Sequence, residues 1–100
     1  MAGSIYKAWW GKLTAAWYQL SKEEQESLLA KVSEAREKAG GKLVIFCNSS
    51  WSSENWQYFG VEEFPDIEAV QKHTELLNEL NWMKYAESSS MLGTKWQSTA

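Results

Sequence analysis

Along the chain, stretches with no clearly polar parity alternate with stretches that repeat every three to four residues, and that contrast orders the predicted elements. From Ser4 to Leu13, "SIYKAWWGKL" is rich in β-forming residues and predicts a strand interrupted by Gly11. "TAAWYQL" follows as an aromatic connection with room for a helical turn. In "LSKEEQESLLAKVSEAREKAGG", Leu28, Val32, Ala35 and Ala39 recur at helical spacing and form one buried stripe. Ser21 with Glu24 makes a capping box, acids crowd the first turn, and Gly40-Gly41 stops the helix. "KLVIFCN" predicts a second strand, "SSWSSEN" a polar connection with Trp51 outward, and "WQYFGVEEF" the returning strand of a hairpin. Pro65 ends that strand and Asp66 caps a second helix, expected from about Ile67 to near Tyr85. A short closing strand is expected around "SMLGTKW".

The order is therefore strand, helix, strand, strand, helix, strand. Two helices are too few to cover both faces of a sheet, so they are expected together on one face of an antiparallel sheet. That is an α+β, ferredoxin-like βαββαβ arrangement in a single domain spanning 1–100. A sheet with one solvated face alternates cleanly, and these strands do not. Ile5, Lys7 and Trp9 oppose Tyr6, Ala8 and Trp10; Leu43, Ile45 and Cys47 oppose Val44, Phe46 and Asn48. The uncovered face is expected to be buried by a second copy of the chain, giving a two-fold homodimer.

Composition sharpens this picture in one respect. Seven tryptophans and four tyrosines are many for 100 residues, and such rings must sit in a core, an interface or a ligand site. A net charge of −3 argues against a nucleic-acid partner, which needs a basic footprint. An RNA-recognition domain shares the element order, but "WQYFGVEEF" lacks the basic-glycine start and carries two acids. No apolar run approaches the ~20 residues of a membrane span. "MAGSIYKAWWGKL" lacks the pattern of a secretion signal, and Cys47 is the single cysteine, so a reducing cytoplasmic setting is expected. The sequon at Asn48 then carries no weight.

Two blocks carry a family resemblance: "WYQLSKEEQESLLAKV", entering the first helix, and "WQYFGVEEFPDIEAVQKHTELLNELNWMKYAES", the third strand and second helix. Together they cover about half the chain, and the pattern resembles small uncharacterised members of the dimeric α/β-barrel superfamily. The resemblance implies two ferredoxin-like subunits pairing their sheets into a shared barrel. That superfamily includes cofactor-free monooxygenases, heme-degrading enzymes, lactone isomerases, cyclases and proteins of unknown role, so it implies no single activity. Axial heme ligation by His73 follows from this analogy alone.

The candidate chemistry centres on His73, the only histidine. At 100° per residue, Ile67, Val70, Thr74 and Leu77 share one arc and Ala69, Leu76 and Leu80 extend it on the other flank. His73 falls between them and points toward the sheet. Burial there would keep the imidazole neutral, as a ligand contact, a general base or a hydrogen-bonded core residue. One histidine and one cysteine make no usual metal set, and adjacent Glu62 and Glu63 point to opposite faces, so neither a metal, a cofactor nor a paired-carboxylate hydrolase is expected. Cys47 would be a nucleophile only with His73 beside it; otherwise it is a small buried thiol.

If Tyr6, Ala8 and Trp10 face the helices with Tyr58 and Gly60, the small residues leave an apolar pocket under the second helix near His73. Tyr18, or Trp82 with Tyr85, would close its mouth. The opposite parity would instead bring Lys7 toward Glu62 or Glu63. The expected ligand-binding set is His73, Tyr6, Trp10, Tyr58 and Tyr18, meeting a small hydrophobic or aromatic ketone or carboxylic acid. The alternatives are a cofactor-free oxygenase or isomerase with His73 as base, and a purely structural dimer.

Overall fold

β-forming residues from Ile5 to Leu13 do build the first strand, β1, but its place in the sheet is set by the partners it finds on both sides. The structure, a computed structural model, describes residues 3–96, so the expected limits at 1 and 100 lie outside the described residues. After β1 come a one-turn helix α1 (Ala15–Tyr18), α2 (Lys22–Lys38), β2 (Lys42–Asn48), β3 (Tyr58–Phe64), α3 (Ile67–Glu79), a 3-10 turn (Trp82–Lys84) and β4 (Ala86–Gly93). The strands form one antiparallel sheet in the order β2-β3-β1-β4, which is the ferredoxin-like βαββαβ topology.

Helix α2 forms where its end signals lie. Ser21 Oγ accepts from Glu24 N–H and the Glu24 carboxylate accepts from Ser21 N–H, closing the capping box. Gly40 takes φ +82°, a left-handed position that stops the helix where a side chain would strain it. Asp66 caps α3 by accepting from Ala69 N–H at 2.8 Å.

Helix α3 is shorter than its apolar repeat suggests. Asn81 adopts the left-handed conformation at φ 56°, and the chain turns into the 3-10 segment instead of continuing to Tyr85. Trp82 thereby meets the buried Trp17 ring edge-on at 6.2 Å. Thr14 then binds the end of this turn twice, through N–H to the Tyr85 carbonyl and Oγ1 to the Lys84 carbonyl. β4 accordingly begins at Ala86, opposite Leu13, earlier than the expected "SMLGTKW", and Thr94–Trp96 lie beyond it.

The core is a compact cluster of Ala39, Phe64, Ala69 and Val70, with Ile5 packed against it. It joins the end of α2, the end of β3 and the start of α3. Both helices lie on one side of the sheet, and the molecule is a slab with principal extents of 50 × 31 × 16 Å. The other face, carrying Ile45, Phe59 and Met91, is left exposed. Among the described residues no helix is long and apolar enough to cross a membrane.

Candidate functional site

Cross-strand register decides which side chains share a face. Residues directly opposite in a ladder point the same way, and Phe64, whose ring meets His73 of α3 at 5.2 Å, marks the helix side. Opposite Phe64 lies Ile5; the following pairs on that face are Lys7 with Glu62, Trp9 with Gly60, and Gly11 with Tyr58. The helix-facing row of β1 is thus Ile5, Lys7, Trp9 and Gly11. Tyr6, Ala8 and Trp10 belong to the helix-free face, with Glu63, Val61 and Phe59 opposite them. The expected pocket set is corrected here: the sheet separates Tyr6 and Trp10 from His73.

Two glycines make the helix-side row possible. A Cβ on Gly60 would come within 2.5 Å of the Trp9 ring and 2.6 Å of the Ile45 carbonyl oxygen. A Cβ on Gly11 would come within 2.7 Å of the Tyr58 hydroxyl. Each glycine is a seat for a ring from the neighbouring strand. Trp9 lies over Gly60 and stacks on Phe46 across it, with centroids 6.0 Å apart and planes at 12°. Tyr58 meets Phe46 edge-on at 5.6 Å, and burial pushes its hydroxyl pKa up. Trp9, Phe46 and Tyr58 form an aromatic shelf whose outer end is open, since Phe46 is 58% exposed.

Beside the shelf, one row toward the core, polar groups gather under the helices. His73 is 3% exposed, and its Nδ1 is buried with no hydrogen-bond partner. Burial, followed by the nearby charges of Lys7 and Arg36, lowers its pKa to about 4, so the imidazole is neutral at neutral pH. Glu62 is buried too; burial raises its pKa against the pull of Lys7 and Arg36, and Arg36 Nη1 stands 3.7 Å from its Oε2. Burial lowers the pKa of Lys7, opposed by Glu62. Among the described residues the Lys7 ammonium has no carboxylate within 4.0 Å, although Glu62 sits on the adjacent strand.

Tyr58 therefore shares a face with His73. Tyr18 is exposed at the end of α1, where its hydroxyl accepts from Gln57 Nε2, whose Oε1 in turn accepts from Leu13 N–H. Cys47 pairs with Phe59 and stands on the helix-free face, which removes the Cys47–His73 nucleophile pair. Glu62 and Glu63 do diverge: Glu63 is on the outer face, where it accepts from Ser4 Oγ at 2.6 Å. The residues that sequence reasoning did not assign to a site are Trp9, Phe46, Glu62 and Arg36. The signal for the first two was present, since Gly60 among large residues marks a place where a ring crosses the strand.

An apolar hollow of about 350 Å³ is lined by Ala8 and Gly60, but it does not lie under the second helix beside His73 as expected. It opens on the helix-free face, walled by Trp10, Trp56, Phe59 and Val61. A second groove of about 370 Å³ runs from the start of α2 to Leu80 and Tyr85. Neither is lined by His73. With its ring against Phe64 and almost no open surface, His73 has no room for a porphyrin, and the heme analogy does not fit this site.

Topology, face assignment and comparison agree on the class of fold: the chain carries a ferredoxin-like α+β fold. It is similar in structure to a variant of chlorite dismutase from Candidatus Nitrospira defluvii, with a TM-score of 0.77 and 12% identity over 97% of this chain and 42% of that one. It is also similar to SnoaB, a cofactor-independent oxygenase from Streptomyces nogalater, with a TM-score of 0.60 and 15% identity over 98% of each chain. A protein of unknown function from Rhodopseudomonas palustris matches with a TM-score of 0.64 and 16% identity, over 96% of this chain and 85% of that one. The chain spans about two fifths of the length of the chlorite dismutase it matches. No protein-family model matches the chain, and no curated protein matches it in sequence.

Proposed function

We propose that the chain binds a small hydrophobic or aromatic molecule with a polar end on the helix side of its sheet. The observation that carries this reading is the orphaned Nδ1 of His73, buried next to an aromatic shelf. A buried polar atom without a partner costs about 1–3 kcal/mol, and such atoms are rare unless a water or ligand completes them. A ligand body lying over Trp9 and Phe46, entering from the β2 side, would bring its polar end toward that atom. The low proton affinity of His73 favours contact over catalysis, because a general base works best with a pKa near the operating pH.

Native mass spectrometry of protein purified from cells tests this directly. A retained small molecule, lost in His73→Ala, is the expected result; a bare polypeptide mass, or equal retention in the variant, counts against the site. A purely structural protein would give the bare mass.

The subunit is further proposed to act as a homodimer through the helix-free face. Ile45, Phe59 and Met91 are exposed there around the apolar hollow, forming a contiguous apolar surface of the kind that marks an interface. The same spectrum reports the mass of the assembly: a doubled mass is expected, and a monomer at micromolar concentration would end this part of the reading.

A further inference from the structure

The polar cluster under the helices is short of one negative charge. Lys7 and Arg36 each bring a positive charge and Glu62 one negative charge, while His73 is held neutral by its surroundings. The distribution matters as much as the sum. Arg36 faces Glu62 at 3.7 Å and also donates to Ser33 Oγ at 3.2 Å. Lys7 has no ion-pair partner among the described residues, and its stem is fixed in the row between Phe64 and Trp9. Half-buried ammonium groups are stable when paired, and a lone one is costly.

Two groups without a protein partner therefore stand on the same side of the sheet: the Lys7 ammonium, which makes no ion pair among the described residues, and the buried His73 Nδ1. Lys7 is close enough for its charge to depress the protonation of His73. One chemical group satisfies both. A carboxylate oxygen accepts from the ammonium, and its second oxygen accepts from Nδ1 when that atom carries the proton of the neutral ring. A ketone offers one oxygen and no charge, so it leaves the excess positive charge in place. Next to Lys7 on the same face of β1, about 7 Å along the strand, is Trp9, whose ring forms the shelf with Phe46.

Resting on the helix-side reading above, we infer that the ligand is a monoanionic planar acid: an aromatic carboxylate whose charge is met by Lys7 and His73 and whose ring lies over Trp9 and Phe46. Glu62 and Arg36 are then the built-in pair that keeps the rest of the cluster balanced. Glu62 also excludes dianions, because a second negative charge would meet a buried carboxylate.

The single histidine makes a clean reporter, since its ring Hε1 gives one resonance in the proton NMR spectrum. The experiment titrates the full chain at pH 7.5 with 1-naphthoate and, separately, with neutral 1-naphthamide, following that resonance. The expected result is saturable movement with naphthoate at least about tenfold tighter than naphthamide. In Lys7→Met that preference falls to within about twofold while the amide binds as before. Equal affinity of acid and amide for the wild-type chain overturns the charge assignment and leaves the helix-side site standing. A preference unchanged in Lys7→Met overturns the role of Lys7. A histidine resonance that neither probe moves at millimolar concentration overturns the helix-side site and this inference with it. The wild-type comparison decides the charge question even if the variant does not fold.

Discussion

At Gly60 the sheet brings a tryptophan ring and a carbonyl oxygen from opposite sides onto one α-carbon. A methyl group there meets both, and the Ile45 carbonyl belongs to a hydrogen-bonded ladder that cannot yield. Gly60→Ala is expected to cost about 1–3 kcal/mol, as for overpacking in a rigid site, and to disturb the Trp9–Phe46 stack; urea unfolding with tryptophan fluorescence reads both. His73 gives a pH signature. Its folded pKa of about 4 lies below the unfolded value of 6.5, so the unfolded chain binds the extra proton between those limits. Stability from this group is present above about pH 6.5 and is lost as pH falls toward 4. Glu62 works the other way, because a raised carboxyl pKa favours the folded state at lower pH. The histidine part is isolated by comparison with His73→Gln. Between pH 7.5 and 5 the wild type is expected to lose up to about 2 kcal/mol relative to the variant, and parallel curves would refute it. At this scale the sequence was only half legible. The inward placement of His73 followed from helical spacing alone. The parity of β1 did not, because both of its rows are large and apolar and a mid-strand lysine usually marks the wet face. Here Lys7 stands on the helix side, in register with Glu62 but not in an ion pair with it.

Among the elements, α2 was the most legible, since both of its ends are written in local chemistry that owes little to the rest of the fold. Its N-terminus rests on one hydroxyl, and Ser21→Ala is expected to destabilise by about 1 kcal/mol, measurable as a lower urea midpoint with unchanged slope. The end of α3 was illegible for the opposite reason. Leu80 and Met83 continue the apolar repeat, but the stop comes from tertiary contacts: Trp82 against Trp17 and the two hydrogen bonds from Thr14. Asparagine at 81 is the one local hint, as it tolerates the left-handed conformation better than most residues. Asn81→Gly is expected to leave stability within about 0.5 kcal/mol, and Asn81→Val to lower it by 1–2 kcal/mol, roughly the cost of a branched residue at positive φ. Equal losses in both would point to a side-chain contact instead of backbone conformation.

For the whole molecule, the slab shape divides labour between the two faces of one sheet. Tryptophans adjacent in sequence belong to opposite rows of β1: Trp9 stacks in the helix-side shelf, Trp10 stands on the bare face, and both line the hollow. Phe59→Lys places a charge at the wall of that hollow without touching the helix side. It is expected to yield monomer by light scattering while ligand retention persists in native spectra. Loss of both together would mean that the site needs the second copy.

The register of β2 shifts between Leu43 and Ile45, so that Leu43 faces Glu62 and Ile45 faces Val61, with Val44 unmatched between them. β2 is also an edge strand with four consecutive exposed apolar residues, Leu43 to Phe46. A straight edge of that composition would be a template for endless strand addition, the geometry of fibrils. An unmatched residue of this kind bends an edge strand and interrupts its run of outward amide and carbonyl groups, which disfavours docking of a further strand in register. Val44 is in this sense a chain terminator for assembly. Deleting it would straighten β2 without altering the pairing of the residues on either side, and would be expected to turn a protein of finite mass into one that binds thioflavin T and sediments.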